Sequence, residues 1–127
     1  MKMLNMTGVE QYWHENMMWE RTLDFYLQQN AYLKTRLSQV IDAIRNKDLL
    51  PQAEQFQNIF IQNDSSLKDM NKDIDKLRRS LENGTYDESR LQQQHTKLNN
   101  EVNNFEKKFT ALKNEFNLYV VTAKKIN

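Results

Sequence analysis

Glu10, His14 and Met18 stand four residues apart, a spacing that puts a carboxylate, an imidazole and a thioether on one face of a helix. Such a trio offers a borderline-to-soft metal three donors of mixed character. Three mismatched ligands on one exposed helix hold a metal poorly, so no metal site is expected there. Other metal patterns are missing. Di-iron bundles project Glu-x-x-His pairs inward, and neither His14 nor His95 follows a glutamate by three residues. Met1, Met3 and Met6 read as a tail rather than a copper motif. The chain has no cysteine, which removes thiolate nucleophiles, disulfides and cysteine-held zinc. Its two glycines, Gly8 and Gly84, cannot build a phosphate-cradling loop. No serine or threonine stands at a recognisable spacing from an acid–base partner. The expectation is a non-enzymatic protein with no cofactor and no bound metal. A small-ligand- or metal-binding bundle is the alternative.

The elements that must position these residues follow from punctuation. Two glycines and one proline in 127 residues are too few for sandwiches and barrels, which need a turn every 8–12 residues or so. The punctuation falls at Leu50-Pro51, where proline suits the first helical turn, and at Asn83-Gly84, where glycine suits a left-handed cap. Thr7 with Glu10, and Thr85 with Glu88, have the spacing of capping boxes, and Met6 stands where a hydrophobic staple would. Helices are predicted over about 8–46, 51–83 and 86–125, in one domain spanning 1–127 with a short tail at 1–7. The weakest stretch is Asn63-Asp64-Ser65-Ser66, and the second helix is expected to run through it.

The period supports three helices. In the second segment Ala53, Phe56, Phe60, Leu67, Met70, Ile74, Leu77 and Leu81 keep alternating steps of three and four. In the third the same steps join Leu91, Leu98, Val102, Phe105, Phe109, Leu112, Phe116, Tyr119 and Ala123. This is the seam of a coiled coil. The first segment carries a broader stripe, from Val9, Tyr12 and Trp13 through Trp19, Leu23, Tyr26, Leu27, Leu33 and Leu37 to Val40, Ile41 and Ile44. Short connections force antiparallel neighbours. The fold class is therefore all-α, an elongated antiparallel three-helix bundle. Its shape resembles spectrin-type repeats, a likeness carried by the seams alone that implies nothing of function. Folding about residues 48 and 84 places Leu37, Phe60 and Phe109 in one layer and Leu23, Ile74 and His95 in another. Asn16, Asn30, Asn63 and His95 are polar seam positions, expected to set register from separate levels. Leu49, Leu50, Leu118, Val120 and Val121 are expected to close one end.

Charge excludes some partners. Eighteen Lys and Arg balance seventeen Asp and Glu, so there is little bulk attraction to nucleic acid. Lys107, Lys108, Lys113, Lys124 and Lys125 give the third helix a mild basic bias, too weak to predict a nucleic-acid partner. No apolar run approaches the ~20 residues of a membrane span, and Met1–Met6 lacks a signal-peptide core. A cytoplasmic location with no membrane association is the expectation.

One apolar feature is left over. Met18, Phe25 and Tyr32 are spaced seven apart and lie roughly 150–200° from the core stripe of the first helix. Met17 and Ala31 flank them. Aromatics and methionine are enriched in buried interface cores. These residues are the predicted interface of a self-associating interaction module. The expected partner is a second copy in a homodimer, or a helical protein laid along the same stripe.

Overall fold

A computed structural model of the chain describes residues 8–127. The tail at 1–7, and with it Thr7 and Met6 of the first capping device, lies outside the described residues. The described part is all-α. Helix α1 spans Gly8–Ala43, a single 3-10 turn follows at Lys47–Leu49, α2 spans Leu50–Asn83 and α3 spans Glu88–Ile126. Each long helix is about 50–60 Å at 1.5 Å per residue. Helix α2 runs unbroken through Asn63-Asp64-Ser65-Ser66.

The ends differ from the sequence-based boundaries for local chemical reasons. Helix α1 stops at Ala43, three residues before the predicted end. Asn46 then takes an extended conformation, and its side chain accepts from the Asp48 N–H at 3.1 Å, starting the next helical turn ahead of Pro51. Pro51 sits within the first turn of α2, where its missing N–H costs nothing. Gly84 ends α2 in the left-handed region at φ 63°, as the sequence predicts. The Thr85–Glu88 box is not used. Asp87 caps α3 instead, accepting from the Ser89 N–H at 3.0 Å, so the helix begins at Glu88 rather than at 86.

Named contacts give the topology. Asn16 meets Ile74, and Asn30 meets Phe60, so α1 and α2 run antiparallel. Phe56 packs on Tyr119 and Phe60 on Phe116, so α2 and α3 do too. Helix α3 therefore runs alongside α1, with Tyr12 at His95 and Tyr26 at Phe109. This register corrects the expected layers by one heptad. Phe60 faces Asn30 and Phe116, not Leu37 and Phe109, and Ile74 faces Asn16 rather than Leu23. Between α1 and α2 the cause is the position of the turn. An antiparallel register moves by twice the displacement of its pivot, and the chain reverses at Ile44–Asn46 rather than about three residues later.

The core is the predicted seam. Every apolar seam residue of α2 and α3 is buried, with Phe60 and Phe116 at 0% exposure. Burying each of these rings contributes roughly 1.5–3 kcal/mol. Phe56, Phe60, Phe116 and Tyr119 form one aromatic cluster, Phe116 lying edge-on to Phe56 and Phe60 at 5.2 and 5.3 Å. Tyr26, Phe105 and Phe109 form a second. Leu27 is the exception in α1, leaving the predicted seam for the surface at 41% exposure. At the bundle end Leu49 and Val120 are buried, while Leu118 and Val121 face outward.

That end is held by Asn127. Its side-chain oxygen accepts from the N–H groups of Arg45 and Asn46 at 2.7 and 3.1 Å, and its amide donates to Ala43 O at 2.8 Å. The end of α3 thus satisfies backbone groups that α1 leaves open. Nearby, the Tyr119 hydroxyl donates to Leu49 O at 2.9 Å. Denaturant unfolding separates these terms. Phe60→Ala is expected to cost about 3–5 kcal/mol, as a large cavity in a packed core does. Asn127→Ala is expected to cost about 1–2 kcal/mol, because its hydrogen bonds are solvent-exposed.

Candidate interaction surface

The polar seam residues gather into two nodes rather than four separate levels. Asn30 is fully buried and donates from Nδ2 to Phe60 O at 2.8 Å and to Asp64 Oδ1 at 2.7 Å. Asn63 donates to Asn30 Oδ1 at 3.3 Å, and Lys34 pairs with the other oxygen of Asp64. This node ties α1 to α2. The second node ties α1 to both partners. Asn16, also fully buried, donates to Ile74 O at 3.0 Å. His95 sits beside it, between the rings of Tyr12 and Trp19 at 4.4 Å each, with Nδ1 3.1 Å from Glu15 Oε2. The sequence analysis missed Glu15, because a heptad error in register had carried His95 past it to Leu23.

Burial dominates the electrostatics of His95 and pushes its pKa down. The Glu15 carboxylate and a backbone contact with Tyr12 pull the other way without prevailing. Burial also raises the phenols of Tyr26 and Tyr119, and the Glu106 carboxylate adds to the effect at Tyr26. None of these groups faces another in a nucleophile–base geometry.

Two open grooves flank the helix pairs. The one between α2 and α3, of about 560 Å³, has Met70, Phe105 and Leu112 on its floor and Gln62, Asn104 and Lys108 on its rim. The one between α1 and α2, of about 680 Å³, is charge-lined. There Arg78 reaches Glu20 across the groove and Asp75 and Glu82 along its own helix. Among the described residues no three His, Asp or Glu side chains come close enough to hold a metal, and no helix is long and apolar enough to cross a membrane. Glu10, His14 and Met18 all lie on the exposed side of α1.

The leftover column of α1 is where the sequence placed it. Met18, Phe25 and Tyr32 are 63%, 54% and 57% exposed on the side of α1 away from the core. Met17 is exposed beside them. Phe25 stands edge-on to Tyr26 at 5.2 Å, and Tyr26 in turn stands edge-on to Phe105 and Phe109. The exposed ring is thus braced through one neighbour against the core. Sequence reading did not anticipate that Ile59 and Ile61 of α2 would also be exposed. They lie off the α2 seam, and their isolation from other apolar spacings gave no signal. Compared with protein-family models, with curated proteins and with solved structures, the chain matches none.

The depressed pKa of His95 makes stability depend on pH with a definite sign. Unfolded, the imidazole titrates near its ordinary value of 6.5; folded, it binds its proton only at lower pH. Its contribution is complete above that value and is lost as pH falls through the window below it. Urea midpoints are therefore expected to drop as pH falls from neutral through the region just below 6.5. His95→Phe, which keeps an aromatic ring between Tyr12 and Trp19, should flatten that drop. Parallel pH profiles for the two proteins would remove His95 as the source.

Proposed function

We propose that this chain is a non-enzymatic interaction module, a helical scaffold that self-associates through the outer face of α1. The observation that carries the reading is the column of Met18, Phe25 and Tyr32, each more than half exposed while the apolar seams are buried. Isolated surface apolar residues are ordinary. Two aromatics and a methionine aligned over two heptads, beside the exposed guanidinium of Arg21, are the residue types enriched where proteins meet. A single rod of this thinness gains no burial from them. Two rods laid side by side would cover all three on each copy, and two-fold pairing is the commonest way a chain meets itself.

Static light scattering of the full chain at tens of micromolar is the test, and the expected mass is that of two chains. Phe25→Glu with Tyr32→Glu should give one chain with helical circular dichroism and cooperative unfolding retained, and a melting temperature lowered by the lost association. Both positions face away from the core, so the variant separates association from folding. A parent chain that is monomeric at these concentrations rejects the reading.

A further inference from the structure

We infer that the second copy docks antiparallel on this face, with Arg21 of each copy seated on Tyr32 of the other. The inference rests on the self-association proposed above and adds the direction and register of the pair. Helix α1 carries a second seam behind its core seam. Met18, Phe25, Tyr32 and Gln39 occupy one heptad position, and His14, Arg21, Gln28 and Thr35 occupy the other, with steps of three and four throughout. All eight are exposed.

Charge decides how this seam meets a copy of itself. In a parallel pair each layer stacks a residue on its own twin, which sets Arg21 on Arg21 and His14 on His14. An antiparallel pair sets each residue of one heptad position against a residue of the other. When Tyr32 meets Arg21, Phe25 meets Gln28, Met18 meets Thr35 and Gln39 meets His14. A guanidinium over an aromatic face is attractive, and arginine's planar group stacks there better than lysine's ammonium. Arg21 is available for this contact, because among the described residues it makes no ion pair within its own chain. The flanks agree. In this register Asp24 lies beside Ala31 of the second copy and Arg36 comes level with its Glu15. The antiparallel register one heptad away sets Arg21 on Phe25 but brings Asp24 against Asp24 near the two-fold axis, like charge on like.

The cysteine-free chain allows a direct test. Single variants His14→Cys and Gln39→Cys leave the aromatic residues in place. Under mild oxidation each alone should stay uncrosslinked, because antiparallel docking separates a residue at either end from its twin by about 37 Å at 1.5 Å per residue. The two mixed should give a disulfide-linked heterodimer on a non-reducing gel, and adding Phe25→Glu to both should abolish it. Arg21→Gln should weaken the dimer about five- to thirtyfold by concentration-dependent light scattering, and Arg21→Lys should weaken it less. Disulfide dimers from either single variant alone, with a parent that still scatters as two chains, would overturn the antiparallel sense and leave self-association standing. A parent that scatters as one chain would overturn both.

Discussion

Three apolar seams with the same three-and-four spacing can be superposed in several registers, each a heptad from the next, and burial alone hardly separates them. Leucine, isoleucine and phenylalanine recur at every layer, so a slide of seven residues exchanges one apolar contact for another. Buried polar groups remove the degeneracy. Asn30 is fully buried, with both its amide and its oxygen engaged by groups of α2. A slide of one heptad would lay it against Leu67 or Ala53, exchanging Asn63 for the apolar Met70 or Phe56 and the Asp64 carboxylate for the neutral amide of Asn71 or Gln57. A buried polar group left unpaired costs about 1–3 kcal/mol, more than the exchange of apolar contacts returns. Asn16, two heptads away, adds a second buried amide between the same helices, donating to Ile74 O. The remaining packing is organised within the register that the Asn30 node holds.

The same reasoning explains what was legible in the sequence. The seams of α2 and α3 were read residue by residue, because periodicity is a property of one helix and needs no partner. The left-handed cap at Gly84 was also legible, since its chemistry is local. The register was not. It depended on which of several adjacent residues ends α1, and Asn46 wins that competition over Pro51 by offering its side chain to the Asp48 N–H. A pivot misplaced by about three residues doubles into a heptad along the antiparallel pair, and the pairing of His95 with Glu15 was lost with it. The clamp at Asn127 escaped for a similar reason, because it joins groups more than eighty residues apart in sequence. The outer column of α1 was legible because exposure, like burial, follows a single helix's period.

Aromatic side chains set the spacing between helices. Helices α1 and α2 approach most closely, with amides bonding directly to the opposing backbone. Helix α3 is held by rings, those of Phe116 and Tyr119 against α2 and those of Phe105 and Phe109 against Tyr26. Rings are wide, and the groove beside Phe105 between α2 and α3 accompanies that spacing. Its rim is amide and charge. The two buried polar nodes join helices, although Asn16 Oδ1 and His95 Nε2 within one of them have no hydrogen-bond partner among the described residues.

The braced position of Phe25 bears on how α1 would act as a contact surface. An exposed side chain that becomes ordered on association costs about 0.5–1.5 kcal/mol in lost rotamers. Aromatic rings have few torsions to lose, and Phe25 already stands edge-on to Tyr26, whose own place is fixed by Phe105 and Phe109. Its ordering is therefore largely supplied by folding. Met18, more flexible and at the periphery of the column, adapts to whatever lies opposite it. A rigid central ring with a pliable neighbour concentrates binding energy where alanine scans of interfaces commonly find it, near the centre of the patch. The core of the bundle and its outer face are in this sense one construction, since the rings that seat α3 on α1 also fix the direction in which Phe25 points.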